Sequence, residues 1–325
     1  MRSGLVAIVL CTFNGSKYIE ALMDSIIVQT YENWELWISD DGSKDNTISV
    51  VRQYAEFYPE KIHILPEHAP LGACTNFLKT LTGAQLNEAE YYMFADQDDV
   101  WFPDKIEKLV AAMRMEEQSE REKTPLLIHS DCRVTDQNLQ TIASSFTEYM
   151  GYNQSMKSLP HLLVQNNVVG ASVLFNRALR NRIHSVPQSA VMHDHWIALV
   201  VAAFGRIGYL PEATYDYRQH AENVIGAREG GAWRELKDKL NSFHKSGDNP
   251  AGSSGGKGGG YDALFRQCEE FLRLYGNDMS AGDKRTVEQF LLIPESCRLR
   301  KMGIVLKNGF VYDKIYRTLG ELFFI

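Results

Sequence analysis

The feature that most restricts the fold occurs three times in the first hundred residues: an apolar run of strand length that ends in a polar cluster. Leu5-Val6-Ala7-Ile8-Val9-Leu10 leads into Thr12-Phe13-Asn14-Gly15, residues 34–39 into Asp40-Asp41-Gly42-Ser43, and Tyr91-Tyr92-Met93-Phe94-Ala95 into Asp96-Gln97-Asp98-Asp99. Runs without polar alternation suit strands buried on both faces. Helical periodicities lie between them. After a capping Ser16, Ile19, Leu22, Met23, Ile26 and Ile27 fall on one stripe, and Val50, Val51 and Tyr54, then Phe77 and Leu81, mark two more helices. Residues 62–65 form another strand, and Pro103 opens a further helix. Strands alternating with helices define an α/β protein with a mostly parallel sheet flanked by helices. In such sheets ligands bind beyond the carboxyl ends of the strands, so the three polar clusters should meet along one edge.

The order is less regular after Ser130. Residues 126–129, 168–175 and 207–210 read as strands, and residues 194–204 as a helix. Residues 247–260 are nearly all Gly, Ser, Asn, Pro and Lys, a composition that buries no core and predicts a flexible loop. Beyond it, Leu264, Cys268, Phe271, Leu272 and Tyr275 predict a helix. The expected organisation is a nucleotide-binding and catalytic domain over 1–227, a connector over 228–260 and a mainly helical C-terminal extension over 261–325.

Three carboxylates delivered to one strand end repel one another unless a cation intervenes. Asp96 and Asp98 are therefore candidate ligands of Mg2+ or Mn2+, ions that join a few carboxylates to substrate phosphates. A solvated acidic turn before the helix at Pro103 is the plainer alternative. Asp40 and Asp41 suit an Asp-Gly turn or hydrogen bonds to a base and ribose. Asn14 fits a turn residue or a nucleotide contact. In His193-Asp194-His195-Trp196, at the start of a helix, Asp194 is a candidate general base for an acceptor hydroxyl. A zinc site there is disfavoured, because i and i+2 positions of a helix do not share a face. Arg218 and His220, in Tyr217-Arg218-Gln219-His220, could neutralise a diphosphate or form a surface ion pair.

These clusters resemble glycosyltransferase family 2, inverting enzymes of the GT-A (Rossmann-like) fold. Residues 5–14, Gln29-Thr30-Tyr31-Glu32-Asn33-Trp34-Glu35, Asp40-Asp41-Gly42-Ser43 and Asp96-Gln97-Asp98 carry the likeness. Gln97-Asp98-Asp99-Val100-Trp101, His193-Asp194-His195-Trp196, Phe204-Gly205-Arg206-Ile207-Gly208-Tyr209 and Tyr217-Arg218-Gln219-His220 narrow it to bacterial rhamnosyltransferase-like members that build surface polysaccharides. The resemblance implies a nucleotide diphosphate sugar donor, dTDP-L-rhamnose or a UDP-sugar, and a carbohydrate acceptor, which the basic C-terminal tail would suit if that acceptor is carried on a lipid. It implies donor contacts from Thr12, Asn14, Asp40, Asp41, Asp96 and Arg218, a metal on Asp98, Asp96 and His220, and a base at Asp194. The family usually has Glu before that Asp; here the residue is His193.

Other classes fit less well. The net charge of −7 argues against a nucleic-acid partner. Lys257 is followed by Gly258 rather than Ser or Thr, and no Gly-x-Ser-x-Gly occurs, which removes a P-loop and the common serine hydrolase elbow. A nucleotidyltransferase would carry a basic loop where Thr12-Phe13-Asn14-Gly15 stands. A non-catalytic sugar-nucleotide-binding scaffold is the rival from a binding class. Five scattered cysteines and a short N-terminal apolar run suit a cytoplasmic setting. The C-terminal tail is basic and amphipathic, with Arg298, Arg300, Lys301, Lys307, Lys314 and Arg317 among apolar residues. It suits a peripheral contact with the inner face of the plasma membrane, packing on the catalytic domain, or a homodimer contact.

Overall fold

The computed structural model describes residues 3–120, 123–220, 259–314 and 317–318. The first apolar run is β1 (Val6–Thr12), which lies between β2 (Trp34–Asp40) and β4 (Tyr91–Ala95) and parallel to both. β3 (Ile62–Ile64) continues the parallel order beside β2. Parallel neighbours need crossovers, supplied here by α1 (Ile19–Ile27), α2 (Thr47–Phe57) and α3 (Ala73–Thr82). Helix α1 has Tyr18 at its N-cap rather than Ser16, whose amide instead donates to Asp45 Oδ2 at 3.1 Å.

The other half of the sheet is mixed. β8 (Val173–Asn176) runs antiparallel to β4 and to β6 (Leu126–Thr135), and β9 (Arg206–Arg218) runs parallel to β6. β5 (Val100–Trp101) and β7 (Thr141–Ala143) pair antiparallel with β9 and β6, giving the order β3-β2-β1-β4-β8-β6-β9-β5 with β7 on β6. The strand expected over 168–175 begins only at Val173, because Gly170–Ser172 forms a 3₁₀ turn. The Gly170 amide donates to Asp194 Oδ2 and the Ala171 carbonyl accepts from Lys105 Nζ, so neither joins the ladder. The strand expected over 207–210 is longer than its apolar core and runs on to Arg218.

Each sheet face carries its own core. On one, Ile8, Leu10, Ile38 and Met93 meet α1, α2 and α4 (Lys105–Ser119). On the other, Val9, Phe94 and Phe175 meet α3, α6 (Leu159–Leu162) and α8 (His193–Phe204). That second core also takes in Cys268, Phe271 and Tyr275 of α9 (Gly259–Tyr275), Val287 and Phe290 of α10 (Ala281–Leu291), and Ile304 and Val305 of α11 (Arg298–Asn308). Fully buried Trp196 meets Phe271 edge-on at 5.7 Å. Helix α9 also grips the chain leading into α8. Glu270 accepts the amides of Gln188 and Ser189, and Gln267 Oε1 that of Val191 at 2.8 Å.

Of the basic tail, α11 packs through Ile304 and Val305 and leaves Leu299 (83 %) and Leu306 (61 %) exposed. The flexible loop expected over 247–260 falls almost wholly outside the described residues, as do Tyr316, Glu321 and Phe323. Among the described residues no helix is long and apolar enough to cross a membrane.

Gly205 closes α8 where the chain enters β9, and a Cβ there would collide with the Pro125 carbonyl, a backbone atom that cannot rotate away. Gly205→Ala should therefore destabilise the protein by about 1–3 kcal/mol, the usual cost of overpacking, read as a lower urea midpoint.

Candidate active site

Register brings the polar clusters together. Thr12 pairs with Asp40 across β1 and β2, and Leu10 with Ala95 across β1 and β4, so all three clusters leave one edge of the sheet. Asp40 builds the floor of this edge. Its carboxylate accepts from Thr12 Oγ1 (2.8 Å), Ser43 Oγ (2.6 Å) and the amides of Gly42 (3.0 Å) and Ser43 (2.8 Å). Asn14 adopts a left-handed φ of 48°, donates its amide to Ser43 Oγ and accepts the Lys44 amide on Oδ1 at 2.8 Å. Asp41 is 8 % exposed and accepts the amides of Leu71 and Gly72 at 2.6 and 2.8 Å, which fixes the loop before α3. Thr12, Asn14 and Asp40 thus shape the pocket wall, and Asp41 joins it to α3.

The acidic turn is locked to this wall by Gln97, whose side-chain amide exchanges two hydrogen bonds with the Phe13 backbone at 2.9 and 3.0 Å. β9 delivers its basic end to the same turn. Arg218 Nε donates to the Asp98 carbonyl at 2.9 Å, and His220 Nε2 lies 2.7 Å from Asp98 Oδ2. The Tyr18 ring backs both, 4.6 Å from the His220 ring and 4.6 Å from the Arg218 guanidinium. Asp99 is fully buried beneath, accepting the Arg218 amide at 3.3 Å. Burial, then the Asp98 and Asp194 carboxylates, push the Asp96 carboxyl up to about 7. Such crowding suits a site that gains a cation.

Asp194, in the first turn of α8, reaches the cleft from the other side. Its oxygens accept the amides of His195 (2.6 Å) and Gly170 (3.1 Å), while burial raises its carboxyl to about 6. The flanking histidines serve other ends. His193 is stacked on Phe77 at 4.0 Å and edge-on to Phe94 at 4.7 Å, and burial holds its pKa down to about 3. His195 Nε2 lies 2.6 Å from the Leu162 carbonyl, and Gln267 meets its other nitrogen. A zinc pair is thereby removed.

The donors around the acidic turn fit a divalent cation: carboxylate oxygens at Asp96 and Asp98, and an imidazole nitrogen at His220. They do not form a closed cage. Among the described residues no group of three or more His, Cys, Asp or Glu side chains is arranged to hold a metal, and Asp98 and His220 make the close pair. An ion bound there needs further ligands of the kind a diphosphate supplies. Sequence reasoning missed Tyr18 and Lys105, and it gave Gln97 and Asp99 no role beyond membership of the acidic cluster. A glutamine between two aspartates and a lysine opening a helix look like ordinary surface choices, and only the tertiary structure shows where they point.

The open α/β sheet, with an acidic turn at the carboxyl ends of its strands, has a GT-A glycosyltransferase-like fold. The family described as "Glycosyl transferase family 2" matches residues 7–119. The chain is 26% identical over 220 residues to a dTDP-rhamnosyl transferase, RfbG, of Shigella flexneri, covering 67% of this chain and 74% of that one. It is 28% identical over 237 residues to the glycosyltransferase TuaG of Bacillus subtilis (strain 168), provisionally assigned to teichuronic acid biosynthesis, covering 72% and 84%. Among solved structures, it is similar in fold to the mannosyltransferase PcManGT of Pyrobaculum calidifontis in complex with GDP-Man and Mn2+. The TM-score is 0.51 at 18% identity, over 94% of this chain and 79% of that one.

If Asp96 is a ligand, a cation must displace its proton at low pH. Manganese binding followed by calorimetry should then weaken as pH falls through about 7, with proton release on binding. A pH-independent affinity would remove Asp96 from the ligand set.

Proposed function

We propose that this glycosyltransferase transfers L-rhamnose from dTDP-L-rhamnose, with inversion, to a hydroxyl of a lipid-linked surface polysaccharide under assembly. The observation that carries the reading is the pair formed across one cleft by the acidic turn at Asp96–Asp98 and the isolated carboxylate of Asp194. A single displacement with inversion needs one base and no protein nucleophile, and we assign that work to Asp194. Rhamnose is supported by the likeness to RfbG, and a polysaccharide acceptor by the likeness to TuaG.

In this reading Asn14 and Asp41 meet the nucleotide, with Thr12 and Asp40 behind them. Asp96, Asp98 and His220 would hold Mn2+ or Mg2+, which when bound neutralises charge on the departing diphosphate. Arg218, fixed on the Asp98 carbonyl, adds positive charge at the same place. Asp194 takes the proton of the acceptor hydroxyl on one oxygen, while the Gly170 and His195 amides hold the carboxylate in place. The acceptor oxygen attacks the anomeric carbon as its bond to the diphosphate breaks. The basic α11, with Leu299 and Leu306 outward, suits an enzyme that meets its lipid-linked acceptor at an anionic membrane surface.

Thermal unfolding with dTDP, UDP and GDP, each with and without Mn2+, tests the donor. A ligand at about 100 times its Kd stabilises by about 2.7 kcal/mol. The expected result is a metal-dependent shift selective for dTDP and lost in Asp98→Ala. A UDP-selective shift would discard rhamnose and keep the family.

Asp194→Asn should lower kcat by about 100- to 10,000-fold while dTDP binding stays intact. In the unaltered enzyme, kcat should decline as pH drops below about 6, where the base becomes protonated. Full transfer activity in Asp194→Asn would place the base elsewhere.

A further inference from the structure

Lys105 is fully buried, which lysine almost never is. It also opens α4, the end of a helix where positive charge is least welcome. An apolar side chain would avoid both costs. What holds the ammonium is specific. Nζ donates to the Ala171 carbonyl at 2.6 Å and lies 3.8 Å from the centre of the Tyr215 ring and 4.2 Å from that of Trp101. Burial pulls the Lys105 amine down to about 7, opposed by Asp99, then Cys132 and Asp96.

Ala171 belongs to the 3₁₀ turn Gly170–Ser172, and the preceding residue's amide is the one that holds Asp194 Oδ2. The turn sits tightly on α8: a Cβ at Gly170 would lie 2.8 Å from His193 Nε2 and 3.5 Å from Asp194 Cβ. Asp194's other backbone donor, His195, is in the same helix and moves with it. The Gly170 amide, by contrast, fixes the carboxylate relative to the sheet.

We propose that Lys105 is a positioning residue that ties the acidic turn to the base: it anchors the Gly170–Ser172 turn through Ala171 and thereby sets where Asp194 stands. This rests on the reading of Asp194 as the base. The bland alternative is that Lys105 only balances the charge of Asp99, and a paired substitution separates the two. Lys105→Met alone strands Asp99 without a counter-charge and is expected to lower stability. Lys105→Met combined with Asp99→Asn removes both charges, keeps the Asn oxygen for the Arg218 amide, and should recover most of that stability.

In the double variant, positioning predicts that dTDP with Mn2+ still raises the melting temperature as in the wild type and that donor KM is unchanged. It predicts that kcat falls about 100-fold, the scale expected of a misplacement near 1 Å. Exchange of the Gly170 amide should quicken by up to about tenfold as its hydrogen bond to Asp194 loosens, while core strands stay protected. Wild-type kcat together with wild-type Gly170 exchange would overturn the proposal and leave Lys105 as a counter-charge. The exchange measurement needs no turnover. If the wild type transfers no sugar, the functional reading fails while Gly170 exchange still decides the coupling.

Discussion

Crowded negative charge at one edge of the sheet is the constraint around which the rest is arranged. Asp40, Asp41, Asp96, Asp98, Asp99 and Asp194 all face this edge or lie just beneath it, and each is handled differently. Asp40 and Asp41 are wrapped in backbone amides and hydroxyls, which stabilise a carboxylate without cancelling its charge. Asp98 meets the imidazole of His220. Asp99 is sunk below the turn, where burial, then the Asp98 and Asp96 carboxylates, push its carboxyl well up. Asp96 and Asp194 are raised as well, to about 7 and about 6, and Asp194 is near enough to help push Asp96 up.

The supports of this edge come from distant parts of the chain, so their legibility in the sequence differs. The parallel half of the sheet was readable because its strands are apolar runs, interrupted only by Glu35 in β2 and His63 in β3, that lead into turn residues. The same runs foretold that Thr12, Asp40 and Asp96 would be neighbours. The mixed half was harder. β9 carries Pro211, Glu212 and Asp216 within its length, so its apolar stretch at 207–210 understates a strand that runs on to Arg218. In 168–175 the apolar run continues through Gly170 and Ala171, but their backbone groups are taken by Asp194 and Lys105. Periodicity reports burial, and that turn is buried without being extended.

The residues gathered at this edge were legible where charge or turn chemistry marks them, as at Asp98, Asp194 and His220. It was not legible where a side chain acts through the backbone. Gln97 clamps Phe13 and Lys105 reaches a carbonyl 66 residues away, and neither bond leaves a trace in local sequence. His193 shows the opposite error. A histidine beside a candidate base invites a chemical role, yet it is packed between Phe77 and Phe94 as an aromatic plate.

The shared core of the C-terminal helices and the sheet has a consequence for how the protein comes into being. The segment ahead of α8 is held by Gln267 and Glu270, and the far side of Trp196 is filled by Phe271. On the ribosome, the parallel half of the sheet can begin to assemble early. The side of the Asp194 helix that meets Phe271 stays uncovered until α9 has left the exit tunnel. Synthesis therefore supplies the outer cover of that helix well after the helix itself.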